Sequence, residues 1–258
     1  MSAARTERGL VVALLGLAGL AWWTSADRMQ GMDAGPWTAL GALGWFLGLW
    51  VVMMAAMMLP SAIPTVALYG GLARDRTRLS AVLFVAGYLA VWTSAGLVAF
   101  ALAEAVGSVA GGGFAWNRAG RWAAGATLLV AAAYQLTPLK DACLRRCRSP
   151  LAFLLGSWRP GVLGGFRLGL ASGVWCAGCC WALMASLFAL GAMSIAWTAL
   201  VAGIVALEKG LPWRRVATGA TAVLLVALGL LLLTAPGAIP GLTLPTGRGP
   251  LPMGTLPA

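Results

Sequence analysis

Apolar residues run down this chain in long blocks separated by short polar or Gly-rich stretches, the spacing of membrane-length helices rather than of strands. Seven apolar spans are predicted, at roughly 9–24, 37–59 (or on to 72), 79–104, 121–138, 162–190, 192–208 and 215–235. The fold class is therefore all-α, a polytopic transmembrane helical bundle of about seven spans. No polar stretch is long enough for a second globular unit, so residues 1–235 form a single transmembrane domain. The Pro- and Gly-rich end, "APGAIPGLTLPTGRGPLPMGTLPA", reads as a disordered tail over 236–258. "GSVAGGGFAWN" at 107–117 reads as a flexible outer loop. The first span is short and "TSA" at 24–26 resembles a signal-peptidase site, yet the charge pattern suits a retained helix.

Composition agrees with the pattern. Of the 258 residues 60% are hydrophobic and 10% charged, against about a quarter charged in soluble domains. The net charge of +11 would suggest nucleic acid in a soluble protein, but no solvated basic face is legible here. The cations instead fix an orientation. With the N-terminus in the cytoplasm, Arg5, Arg8, Arg74, Arg76, Arg78, Lys140, Arg145, Arg146, Arg148, Arg159, Lys209, Arg214 and Arg215 lie inside, and Arg167 can snorkel inward. Only Arg28, Arg118, Arg121 and Arg248 remain outside. The expectation is N-in, C-out, with the lipid bilayer as the first partner and no nucleic acid.

The chain has no histidine. That removes imidazole ligands, the Ser-His-Asp triad and the HExxH zinc motif. Sulfur is what remains. In "VWCAGCCWALM", Cys176, Cys179 and Cys180 are spaced i, i+3, i+4 and share one helix face. A single cysteine there would be a small hydrophobe, but three together on one face are a candidate soft-metal or redox site. In "VVMMAAMMLP", Met53 stacks on Met57 and Met54 on Met58, an arc of thioethers beside Ala55 and Ala56. Pro60 and Pro64 follow and are expected to break or kink that helix. Thioether and thiolate together are the ligand set of Cu(I), whereas the scattered Asp33, Glu104, Asp141 and Glu208 make no oxygen cage for a hard cation.

A third group lies in "YQLTPLKDACLRRCRSP". Cys143 and Cys147 are spaced i, i+4 among Arg145, Arg146 and Arg148, and neighbouring cations are expected to make them the more reactive thiols. Tyr134 and Gln135 are expected to hydrogen-bond the backbone near Pro138. Met29, Met32 and Asp33 in the outer loop add a weak capture site.

Taken together these segments resemble a bacterial family of predicted metal-binding integral membrane proteins, a domain of unknown function whose members are described as membrane copper chaperones. The matching stretches are "GMDAGPW", "WVVMMAAMMLP", "AGYLAVW" at 86–92, "YQLTPLKDACLRRCRSP", "CAGCCWALM" and "EKGLP" at 208–212. The resemblance implies copper handling at Met53, Met54, Met57, Met58, Cys143, Cys147, Cys176, Cys179 and Cys180. Several relatives carry histidine four residues before the first cysteine of the Cys-x-x-Cys-Cys block. Here that residue is Ser172, a poor ligand for a soft ion, which favours an all-sulfur Cu(I) site.

The expected function is Cu(I) binding and hand-over to a copper-requiring or copper-donating protein partner, with copper as cargo and no covalent chemistry, hence not an enzyme. The methionine arc of the second span and the thiols of the fifth are expected to face one another, with Cys143 and Cys147 at the cytoplasmic mouth. Two rivals stand beside it. One is a membrane thiol oxidoreductase using Cys176 or Cys179 with Cys180; the other is a structural subunit of a membrane complex.

Overall fold

The structure, a computed structural model, describes residues 2–29, 42–72, 77–110, 119–157, 163–191 and 194–239. It is all-helical. In chain order the helices are α1 (Ser2–Met29), α2 (Leu43–Leu72), α3 (Thr77–Ala110), α4 (Arg121–Gln135), α5 (Pro138–Cys147), α6 (Pro150–Ser157), α7 (Gly164–Leu190), α8 (Ile195–Gly210) and α9 (Arg214–Thr234). The described part of each predicted apolar span falls mainly on one of them, while the polar segment after the fourth span folds into α5 and α6. Thr137 and Pro138 make the start signal for α5: Pro138 is preset for the first helical position, and the Thr137 hydroxyl accepts from the Lys140 N–H at 3.3 Å.

Among the described residues, four helices are long and apolar enough to cross a membrane, at Leu43–Tyr69, Leu79–Val106, Gly164–Leu190 and Arg214–Thr234. The 15 residues of α4 and the 16 of α8 extend only about 22–24 Å, short of a ~30 Å hydrocarbon core. α3 continues to Ala110, so the first four residues of the expected 107–117 loop are helical. Residues 236–238 form a 3-10 turn, and Ile239 is buried. The rest of the expected tail, 240–258, lies outside the described residues. So do Met32 and Asp33 and the side chain of Met29.

Pro60 and Pro64 do not break α2, which runs helically through both. A proline at position 60 leaves the Ala56 carbonyl without its i+4 donor. Nearby polar groups tend the same turn: the Ser61 hydroxyl donates to the Met58 carbonyl at 2.7 Å, and the Tyr88 hydroxyl lies 3.4 Å from that oxygen. Both hydroxyls reach the Met58 carbonyl rather than the freed Ala56 one, and α2 stays helical through the turn.

The bundle is organised by α3 and α7, which lie side by side and parallel. Gly165, Gly169 and Gly173 of α7 meet Ser80, Phe84 and Tyr88 of α3 in step, four residues at a time. A Cβ at Gly165 would stand 2.5 Å from the Ser80 carbonyl oxygen, and one at Gly173 would stand 3.1 Å from that of Tyr88. A stripe of residues without bulky side chains lets two backbones approach this closely. The phase of the stripe brings Tyr88 opposite the cysteines one turn further on. α2 lies along α3, where the Trp50 indole donates to the Trp92 carbonyl at 2.8 Å. α4 packs between α7 and α9, α1 covers α2, and α5 lies against α7. Gly191 ends α7 at φ 112°, where a side chain would be strained.

Candidate metal centre

The thiols of Cys176, Cys179 and Cys180 lie within 4.8 Å of one another, all buried. Helical spacing alone accounts for this, as i, i+3 and i+4 turn to one side. What surrounds them comes from four other helices. From α5, the Cys147 sulfur stands 3.7 Å from that of Cys179. From α2, the Met58 thioether stands 4.0 Å from the Cys176 sulfur. From α3, the Tyr88 hydroxyl donates to Cys176 at 2.9 Å. From α8, the Lys209 ammonium donates to Cys176 at 3.1 Å and to the Ser61 hydroxyl oxygen at 3.0 Å. Cys179 and Cys180 are 3.3 Å apart, sulfur to sulfur, and all five cysteines are free thiols.

Two contacts hold the α5 end of this pocket. The Arg146 guanidinium lies 5.2 Å from the centre of the Trp175 ring, a cation–π contact that ties the last turn of α5 to α7. It fixes Cys147, the next residue, beside Cys179. Below it, Cys143 packs on Gly178: a Cβ there would meet the Cys143 sulfur at 2.9 Å. On the other flank the Tyr134 hydroxyl donates to the Gly178 carbonyl at 2.5 Å, and its ring meets Trp181 edge-on at 4.9 Å. Tyr134 thus ties α4 to α7 rather than serving the backbone near Pro138. The Gln135 amide, buried beside it in sequence, has no partner among the described residues.

Charge near the site is carried by lysines. Lys140 and Glu208 form a buried ion pair at 2.7 Å, with Arg148 donating to the Glu208 carbonyl at 3.3 Å. A pair this buried survives only when its partners are close and fixed. Its effect is to seat the last turn of α8 against α5, which turns the adjacent Lys209 toward the thiols.

The sequence-predicted site residues divide. Cys176, Cys179, Cys180, Cys147 and Met58 come together. Met53, Met54 and Met57 are buried on α2 but form no hydrogen bond with a thiol among the described residues; the Met53 sulfur instead accepts from the Thr198 hydroxyl at 3.9 Å. Cys143 sits beside the cluster, against Gly178. The arginines around Cys143 and Cys147 do not make reactive thiols of them. Burial pushes the Cys143 thiol up. The Cys176 sulfur beside Cys147 holds that thiol well above its ordinary range, with burial adding to the effect and contact with Cys179 opposing it. Tyr88, Ser61 and Lys209 were not singled out from the sequence. Tyr88 and Lys209 lie within the blocks "AGYLAVW" and "EKGLP" that carry the resemblance, so the signal was present without an assigned role.

The donor set suits a soft cation. It offers four thiols and a thioether in a buried pocket, with no carboxylate among their contacts in the described residues, and such ligands favour Cu(I) over hard ions. No curated protein and no solved structure matches the chain. A family model described as "PpoB2: Copper chaperone" matches residues 47–232, a stretch that contains every residue of the sulfur pocket. The chain belongs to this copper chaperone family.

Proposed function

We propose that this protein is an integral membrane Cu(I)-binding protein that passes copper to a partner protein by ligand exchange between sulfurs. The observation that carries the reading is the meeting of Cys147, Cys176, Cys179, Cys180 and Met58 from three separate helices within contact distance. Sulfur packing for its own sake would not need thiols from two helices and a thioether from a third at one point. Cys176, Cys179 and Cys180 hold the ion, Met58 supplies a weaker neutral ligand, and Cys147, at the end of α5, receives or presents it. Each new sulfur binds before the old one leaves, so no covalent step is required and the protein is not an enzyme. Met53, Met54, Met57 and Cys143 complete the sulfur-lined surroundings as secondary ligands on the way in or out.

The membrane arrangement belongs to the same proposal: seven spans, N-in and C-out, in a bacterial inner membrane. Parallel α3 and α7 support it, since the third and fifth spans of such a topology run in the same direction. α4 and α8, though short, would be completed by the turns that adjoin them.

Copper stoichiometry of the purified full chain, reduced and loaded with Cu(I) under anaerobic conditions, tests the reading. The native chain is expected to hold copper stoichiometrically and Cys176→Ser to lose it. A redox-active disulfide without metal would instead make the protein a thiol oxidoreductase. Neither metal nor disulfide would leave the sulfurs as packing.

A further inference from the structure

Lys209 stands in the last turn of α8, where a lysine ordinarily extends to water. Here it turns inward. Its ammonium is partly buried and shared between Cys176 at 3.1 Å and the Ser61 hydroxyl at 3.0 Å. Among the described residues no carboxylate competes for it. Glu208, the adjacent residue, is taken by Lys140 at 2.7 Å, and Asp141 is held by Arg214 at 2.6 Å and Arg145 at 3.4 Å. Among the described residues, Lys209 is therefore the cation hydrogen-bonded to a pocket thiol, and no carboxylate is hydrogen-bonded to those thiols.

We infer that Lys209 is the counter-ion of the bound metal complex, and that it fits the pocket to a monovalent soft cation held between two thiolates. This rests on the Cu(I)-binding reading above and adds what sets the charge of the cargo. A monovalent ion on two thiolates is a complex of charge −1. The Lys209 ammonium brings the pocket to neutrality. A divalent ion on the same two thiolates is already neutral, and Lys209 then becomes an uncompensated charge shut partly away from water, which is costly. A divalent ion could restore neutrality only by recruiting a third thiolate. Removing the ammonium reverses the preference, because the neutral complex is then the divalent one. Lys209 need not touch the ion, and Ser61 holds the ammonium on the cysteine side.

Ag(I) and Cd(II) separate charge from softness, since both favour sulfur and differ in valence. The experiment measures the affinity of each for the purified full chain in detergent micelles, by competition with a chelator, for the native protein and for Lys209→Met, Lys209→Gln and Lys209→Arg. The Met and Gln variants are expected to lower the ratio of Ag(I) to Cd(II) affinity by about tenfold or more, as an interaction between buried charges implies. The Arg variant, which keeps the charge, is expected to hold the native ratio to within about threefold, as its guanidinium stays protonated. Equal weakening of both ions in the Met and Gln variants would make Lys209 a packing residue and overturn the inference. So would a ratio lost in the Arg variant as well. If the native chain takes up neither ion, the Cu(I)-binding reading itself fails; if it binds Ag(I) and the ratio is indifferent to residue 209, only the role of Lys209 fails.

Discussion

At the scale of single residues, Cys143 and Cys147 do not take the role that their neighbours in sequence suggest. Three arginines beside Cys143 and Cys147 read as thiolate-stabilising, but charge proximity along the chain is not proximity in space. Arg146 turns to the Trp175 ring and Arg148 to the Glu208 carbonyl, while both cysteines turn toward α7. Raised thiol values leave little thiolate at neutral pH, because the thiolate fraction falls tenfold for each unit that the pKa rises above pH. Cys143 and Cys147 are therefore expected to react with a maleimide or iodoacetamide at pH 7 more slowly than an ordinary thiol of pKa about 8.5, and to speed up only as pH climbs past that value. Mass spectrometry of the alkylated chain, with Ser variants to assign each site, checks this. Rapid labelling of both at pH 7 would mean that α5 does not seal against α7. Lys140 and Lys209 teach the same lesson. Counting cations toward an orientation says nothing about which way a lysine points, so neither the ion pair nor the thiol contact was legible.

Elements were far more legible than side-chain partners. Hydrophobic run length finds helices because each run must satisfy its own backbone and bury its surface, and α2, α3, α7 and α9 follow from that alone. The pairing of α3 with α7 follows from something subtler, the spacing of Gly165, Gly169 and Gly173, which looks incidental in a chain with 35 glycines. Its consequence is local and testable. A methyl group at Gly169 would collide with the Phe84 carbonyl, a backbone atom with no easy retreat. Gly169→Ala is expected to cost about 1–3 kcal/mol, the usual penalty for overpacking, and to move Tyr88 off Cys176. Thermal unfolding in detergent should show the loss, accompanied by weaker Cu(I) binding. Gly203→Ala, at a position where a Cβ meets nothing within 4 Å, serves as the control and should weaken neither.

For the whole molecule, fold class was readable from composition and run length, whereas α4 and α8 are shorter than a membrane crossing needs, so run length alone does not set the number of spans. Charge asymmetry supplies the expectation. Reporter fusions near Arg145 should give a cytoplasmic signal, and fusions after Pro236 an external one. Finding both on the same side would remove the seven-span arrangement and make one of the short helices re-entrant.

The pocket draws on residues 58, 61, 88, 147, 176–180 and 209, contributed by five helices. A nascent chain made only as far as α7 holds the thiols but lacks Lys209, so the full pocket can close only once α8 has been made. On the proposed reading, an ion bound there would clasp helices from separate parts of the chain. Mass action then makes the cargo a stabiliser: ligand at a hundredfold excess over Kd adds about 2.7 kcal/mol against unfolding. Adding Ag(I) should therefore raise the melting temperature of the native chain, and raise that of Cys176→Ser much less. A melting temperature indifferent to Ag(I) in the native chain would mean that the ion does not bridge the helices. On this view an empty chaperone is a looser protein than a loaded one, and release of the metal leaves behind a bundle whose central seam is easier for proteases or partners to open.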